Sequence, residues 1–221
     1  MNEPNSRGRR AEAEPTVVQM AGTRAARRRR NSSDPMAFQF GAGSLCLDFA
    51  ATLDARGDGA ADQLSSADRL AEWLAGPELP LPAGGLTDED LVAARMLRAA
   101  VVGVARAVVA GVPAPAADVR RINSCARRPT PVFLLGPGAR GQVVVEEADL
   151  AAVLSVIARD AVHLVSGTDT GRLRECARDG CSTLFFDRSP SGRRRWCSMK
   201  GCGEMVASAA YRRRQGVGVS G

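Results

Sequence analysis

Two Cys-x4-Cys pairs, Cys176/Cys181 and Cys197/Cys202, are separated by the fifteen residues Ser182 to Trp196. This spacing constrains the chain more than any other feature. Structural zinc sites pair their ligands a few residues apart on two turns, and four thiolates close the tetrahedral shell. The expectation is one structural Zn²⁺ bound by Cys176, Cys181, Cys197 and Cys202. A catalytic zinc would keep one position open. A redox pair would more often read Cys-x-x-Cys. Disulfides need an oxidising compartment, and the N-terminus shows no apolar export signal. Cytoplasmic residence is therefore expected.

Between the pairs, Thr183-Leu184-Phe185-Phe186, then Ser189-Pro190-Ser191-Gly192, then Arg193-Arg194-Arg195-Trp196 read as strand, turn and strand. After Cys202, Met205 to Tyr211 reads as a short helix ending in Arg212-Arg213-Arg214. Knuckle, hairpin and a second knuckle leading into a helix make a treble-clef-like plan. Cys176-Ala-Arg-Asp-Gly-Cys181, Leu184-Phe185-Phe186-Asp187, Arg193 to Met199 and Cys202-Gly203 resemble the CGNR zinc finger. That family is named for a Cys-Gly-Asn-Arg quartet at its last ligand. Here the quartet reads Cys202-Gly203-Glu204-Met205, so the metal ligands match and the Asn-Arg pair does not.

Charge divides the chain unevenly. Residues 36–171 carry a net −5, and residues 172–221 carry +7. A basic module beside an acidic body points to a polyanionic partner for the module alone. Arg193, Arg194, Arg195, Lys200, Arg212, Arg213 and Arg214 are the candidate nucleic-acid contacts. Alternation along a strand would put Arg193 and Arg195 on one face and Arg194 with Trp196 on the other. Trp196 is expected to pack against Phe185 or Phe186. Glu204 stands where the family has Asn and repels phosphate, so the expected affinity is electrostatic, with weak sequence preference.

Residues 1–35 lack apolar periodicity and contain the run Arg27 to Arg30, which reads as a disordered basic tail. The folded part begins at Met36. Phe40-Gly41-x-Gly43-x-Leu45-Cys46-Leu47-Asp48-Phe49 resembles the start of the ABATE domain, which accompanies the CGNR finger in a family of proposed stress-induced transcription regulators. Ser44 is placed to cap a helix with Leu45, Phe49 and Leu53 on one face. Ser65 or Ser66 opens a second helix, ending at Gly76-Pro77. Thr87 opens the longest, with Leu91, Ala94, Leu97, Val101, Val104 and Val108 as its buried stripe and Arg95, Arg98 and Arg106 on its solvated face. A helix over Asp118 to Arg128, a hairpin from Val132–Leu135 to Val143–Val145, and a helix over Ala148 to Val165 follow. Cys46 and Cys125 read as small buried apolar residues, His163 as a satisfied histidine, and Asp48 as a locally bonded helix carboxylate.

The expected fold class is α+β and mostly α: an α-rich domain over 36–167 with a small β-hairpin, a treble-clef-like zinc finger over 172–214, and a flexible tail over 215–221. The charge shift and the Gly167–Gly171 hinge suggest that the two modules separate. No apolar run reaches the roughly 18 residues of a membrane span. No nucleophile with a base, no paired acids and no phosphate loop is evident, so an enzyme is not expected. The resemblance implies a transcription regulator whose finger contacts DNA, while the helical domain senses an effector or forms a homodimer. A zinc-stabilised protein- or RNA-binding adaptor is the alternative, and a hydrolase-like catalyst in the helical domain ranks third.

Overall fold

A computed structural model describes residues 18–19, 38–54, 61–82, 84–135, 142–144 and 148–216. The expected basic tail over 1–35 lies outside the described residues, apart from Val18–Gln19. Those two form β1, which pairs with Gln142–Val144 (β5). β5 also pairs antiparallel with Phe133–Leu135 (β4), giving the expected hairpin a third strand. The expected C-terminal tail begins later than its sequence suggests, because the last helix runs to Gly216.

Five helices build the main body: α1 (Leu45–Ala50), α2 (Ala67–Ala75), α3 (Asp88–Ala110), α4 (Ala116–Ala126) and α5 (Leu150–Ser166). α3 starts with a capping box. Asp90 N donates to the Thr87 hydroxyl at 3.2 Å, and Thr87 N donates to the Asp90 carboxylate at 2.9 Å. Two otherwise orphaned donors are thereby satisfied. It ends at Gly111 in the left-handed conformation, where a Cβ would be strained. α2 and α5 are capped by the side chains of Ser66 and Asp149.

α3 buries Leu91, Ala94, Leu97, Val101 and Val104 as its periodicity predicts; Val108 is half-buried against the core. Each fully buried Leu or Val stabilises by about 1.5–3 kcal/mol relative to exposure. Trp73 is wholly buried and packs against Phe49, with ring centroids 4.9 Å apart.

α1 departs from its expected stripe. It ends at Ala50, so Leu53 falls in a two-residue strand, β2 (Leu53–Asp54), and is exposed, while Cys46, Leu47 and Phe49 are buried. Ser44 does not cap the helix with its side chain. The Asp160 carboxylate of α5 does so instead, accepting from Cys46 N at 2.8 Å and from the Ser44 hydroxyl. Burial, with the Asp160 charge, pushes the Cys46 thiol well above its ordinary value, so Cys46 is a neutral core residue. Asp48 is locally bonded as expected, accepting from Gly41 N and Ala42 N, both at 2.7 Å.

Arg95 and Arg98 do not form a solvated face. β2 pairs with β3 (Ala61–Asp62) and brings Asp62 over α3. Arg98 is only 5% exposed and grips both Asp62 oxygens at 2.7 Å, with the Thr52 hydroxyl at 3.0 Å. Arg95 reaches Leu64 O at 2.7 Å and Asp62 at 3.1 Å. Burial pushes the Asp62 carboxyl up, but the hydrogen bonds and charge of Arg98, with Arg95 behind, outweigh it and hold it below the usual carboxylate range. A cation at the edge of an apolar stripe can be buried when a bidentate carboxylate meets it.

Candidate metal centre and finger surface

The finger opens with β6 (Leu173–Glu175), which runs into Cys176. Cys181 follows a turn closed by Cys181 N to Arg178 O at 3.0 Å, with Gly180 at positive φ, and β7 (Leu184–Phe186) leaves it. β6 and β7 pair antiparallel, Leu173 opposite Phe186 and Glu175 opposite Leu184. The finger's hairpin therefore wraps the first knuckle. This corrects the expectation that Leu184–Phe186 pairs with Arg193–Trp196. The latter segment is irregular, because its backbone is drawn to two other anchors. Arg194 N donates to the buried Asp187 carboxylate at 2.8 Å, and Ala177 N donates to Arg195 O at 2.9 Å. Asp187 also accepts from Ser189 N at 2.9 Å. The Ser189 side chain beside it, then the N–H groups of Ser189 and Arg194, hold its carboxyl below the usual range.

The second knuckle is a single π turn, Met199–Gly203, capped by the Ser198 hydroxyl accepting from Gly201 N at 3.1 Å. It carries Cys202 and leads directly into α6 (Glu204–Gly216).

All four sulfurs lie within 4.8 Å of one another. Cys181 and Cys197 are 3.9 Å apart, Cys197 and Cys202 3.5 Å, and Cys202 and Cys181 3.7 Å. None is disulfide-bonded. Zn–S bonds of about 2.3 Å require tetrahedral edges of about 3.8 Å, which these separations meet. The sulfur charge has partners already in place: Arg178 Nε donates to Cys202 Sγ at 3.1 Å, and Cys197 N to Cys176 Sγ at 3.4 Å. The Cys202 sulfur in turn raises the Arg178 pKa. With protons alone the cluster is uneven. A hydrogen bond from Cys197 pulls Cys181 down to about 4, while Cys197 itself is pushed far up by that bond and by burial. Neighbouring thiolates repel one another, and a dication is what allows all four to ionise together.

Trp196 packs on this sulfur cluster, not on Phe185 or Phe186 as expected. Phe185, completely buried, joins Leu173 and Leu184 in the core of the helical body. The other face of Phe185 is covered by the Arg194 guanidinium, 4.8 Å from the ring centroid. Arg194 also donates to Trp196 O at 2.8 Å and to Cys197 O. Of the seven candidate contacts, Arg194 thus turns inward and ties the knuckle to the hairpin. Arg193 and Arg195 are exposed, as is Lys200 on the π turn. Arg212, Arg213 and Arg214 are exposed near the end of α6. α6 buries no residue among those described, and Met205 and Tyr211 are 59% and 58% exposed. Arg174 and Arg188, which sequence reasoning passed over, are exposed on the same module.

The finger is not an appendage. Phe186 N donates to Ala42 O at 2.6 Å, Arg188 Nε donates to Gly43 O, and Arg106 of α3 reaches the Ser182 hydroxyl at 3.3 Å. The apolar core runs unbroken across the expected boundary.

Fold and site together define a two-module zinc-finger protein in which a tetrathiolate finger is seated on a helical body. The chain belongs to the ABATE family: the family model described as "Putative stress-induced transcription regulator" matches residues 43–168, more than half of the chain. The model for the CGNR zinc finger matches residues 172–215. No curated protein matches the sequence.

Proposed function

We propose that the protein is a DNA-binding transcription regulator acting by binding rather than by catalysis, with the finger gripping phosphates and the helical body sensing an effector or forming a homodimer. The observation that carries this reading is the set of outward-facing cations on a metal-braced frame. Arg193, Arg195, Lys200 and Arg212 to Arg214 are all exposed, on the loop, π turn and helix that flank Cys197 and Cys202. The closed four-sulfur shell supports a structural and not a catalytic metal. Glu204 and Met205 at the start of α6 bring no cation to the position where the CGNR finger carries Arg, which favours backbone contacts over base readout.

The test is duplex binding by zinc-loaded full-length protein across a salt series. Each phosphate contact should add about 0.9 to the slope of log affinity against log salt. Replacing Arg193 and Arg195, or Arg212 to Arg214, by Ala should flatten the slope and weaken all duplexes alike. If both sets bind as the parent does at every salt concentration, the reading fails. A protein-binding adaptor is the second reading, favoured by the exposed Met199, Met205 and Tyr211 on the same module. It takes the lead if duplexes bind without salt dependence.

A further inference from the structure

A cavity of about 290 Å³ lies on the seam between the helical body and the finger. It is lined from three directions: Ser44 before α1, Asp160 and His163 on α5, and Phe186 and Arg188 on the finger, with the hinge residue Asp169 closing the set. We propose that this cavity binds a small zwitterion of amino-acid size, its ammonium end facing Asp160 and Asp169 and its carboxylate end facing Arg188.

The charged groups are opposed in sign and supplied by different modules. Asp160 is fixed by its bonds to the Ser44 hydroxyl and Cys46 N, and both use one carboxylate oxygen, Oδ2. Its orientation is therefore set before any ligand arrives, which lowers the cost of binding. Arg188 is held through Nε by Gly43 O and lies over the Phe186 ring, 5.6 Å from its centroid. Its terminal N–H groups are left for an anion, and a guanidinium fork suits a carboxylate. Between the charged ends, Leu164 and Phe186 offer apolar wall. Ligand cavities run from about 300 Å³ and favour module interfaces; this one has the right position and suits a small metabolite rather than a nucleotide. An occupant would touch the body, the hinge and the finger at once, so its binding energy would act on how the finger sits.

His163 is the sole histidine of the chain, so its imidazole is a built-in reporter. The experiment is a titration of isotope-labelled, zinc-loaded full-length protein with the free L-amino acids, following the His163 ring resonances by NMR. At least one amino acid should shift them saturably. The corresponding amine lacking the carboxylate, and the acid lacking the amine, should each bind at least about tenfold more weakly, the loss expected for one charge-assisted hydrogen bond. Asp169→Asn, which keeps the backbone of the hinge, and Arg188→Ala should weaken the same ligand by a similar factor. The proposal is overturned if no amino acid moves the His163 signals, or if either half-ligand binds as well as the whole. The half-ligand comparison decides on the parent protein even if a variant fails to fold. It does not involve DNA, so its outcome is separate from that of the duplex experiment.

Discussion

Gly43 and Phe186 approach so closely that a Cβ on Gly43 would lie 2.5 Å from the Phe186 carbonyl oxygen. Gly43 also sits at φ +95°, where a side chain is strained. The contact joins the turn before α1 to β7 of the finger. Gly43→Ala should therefore cost about 1–3 kcal/mol, and it should do so without touching a metal ligand. The check is a thermal melt beside a zinc determination: a lowered midpoint with zinc retained. An unchanged midpoint would show that the seam yields easily.

Metal removal should be felt in the helical body. Leu184 and Phe185 belong to the body's core, only a few residues beyond Cys181. Metal binding energy is folding energy in small fingers. Chelation, or Cys202→Ser, should lower the midpoint of helical melting followed by circular dichroism, and one zinc per chain should be lost. A helical transition unaffected by chelation would mean that the finger folds as a separate unit.

Arg194 and its neighbours should behave in opposite ways. Arg194→Ala removes a cation that covers Phe185 and bonds the Trp196 and Cys197 carbonyls, so stability should fall by about 1–3 kcal/mol, with the salt slope of duplex binding unchanged. Arg193→Ala with Arg195→Ala should leave the melt unchanged and flatten that slope. Paired melts and salt titrations separate the two roles.

Arg98→Met should be destabilising although it removes a charge from the interior, because Asp62 keeps its own. Breaking a buried pair costs about 3–5 kcal/mol, and the partial exposure of Asp62 reduces this to about 2–3 kcal/mol. The pH dependence follows from the lowered carboxyl of Asp62. Its contribution is complete above the unfolded carboxylate value of about 3.9 and is lost as pH falls through the lower folded value. Urea melts below pH 4 should show the parent losing stability that Arg98→Met has already lost, so the two curves converge in acid.

The metal site was legible in the sequence because its ligands sit on two short turns, where chain spacing nearly fixes spatial distance. α3 was legible too, through the cap at Thr87 and a stripe that repeats over several turns. What failed had its cause elsewhere in the chain. β6 is three residues long, too short for alternation to show, so β7 was paired with the arginine run downstream. Asp160 caps α1 from more than a hundred residues away. Arg98 read as solvated because nothing local announces that Asp62 will cover it. Trp196 was assigned to Phe185 on the premise that the finger makes its own core, whereas Phe185 lies in the core of the body. The same premise suggested separable modules.

The seating of Leu173, Leu184 and Phe185 in the helical core also limits how such chains are recombined. Cut at the 167–171 hinge, a transplanted finger would carry three apolar side chains into solvent and leave matching hollows in the body it came from. Fingers of this kind are tradable only together with the surfaces of α1 and α3 that receive them. A chimera that keeps the cysteines and swaps only the hinge-to-tail segment is expected to bind zinc and still aggregate.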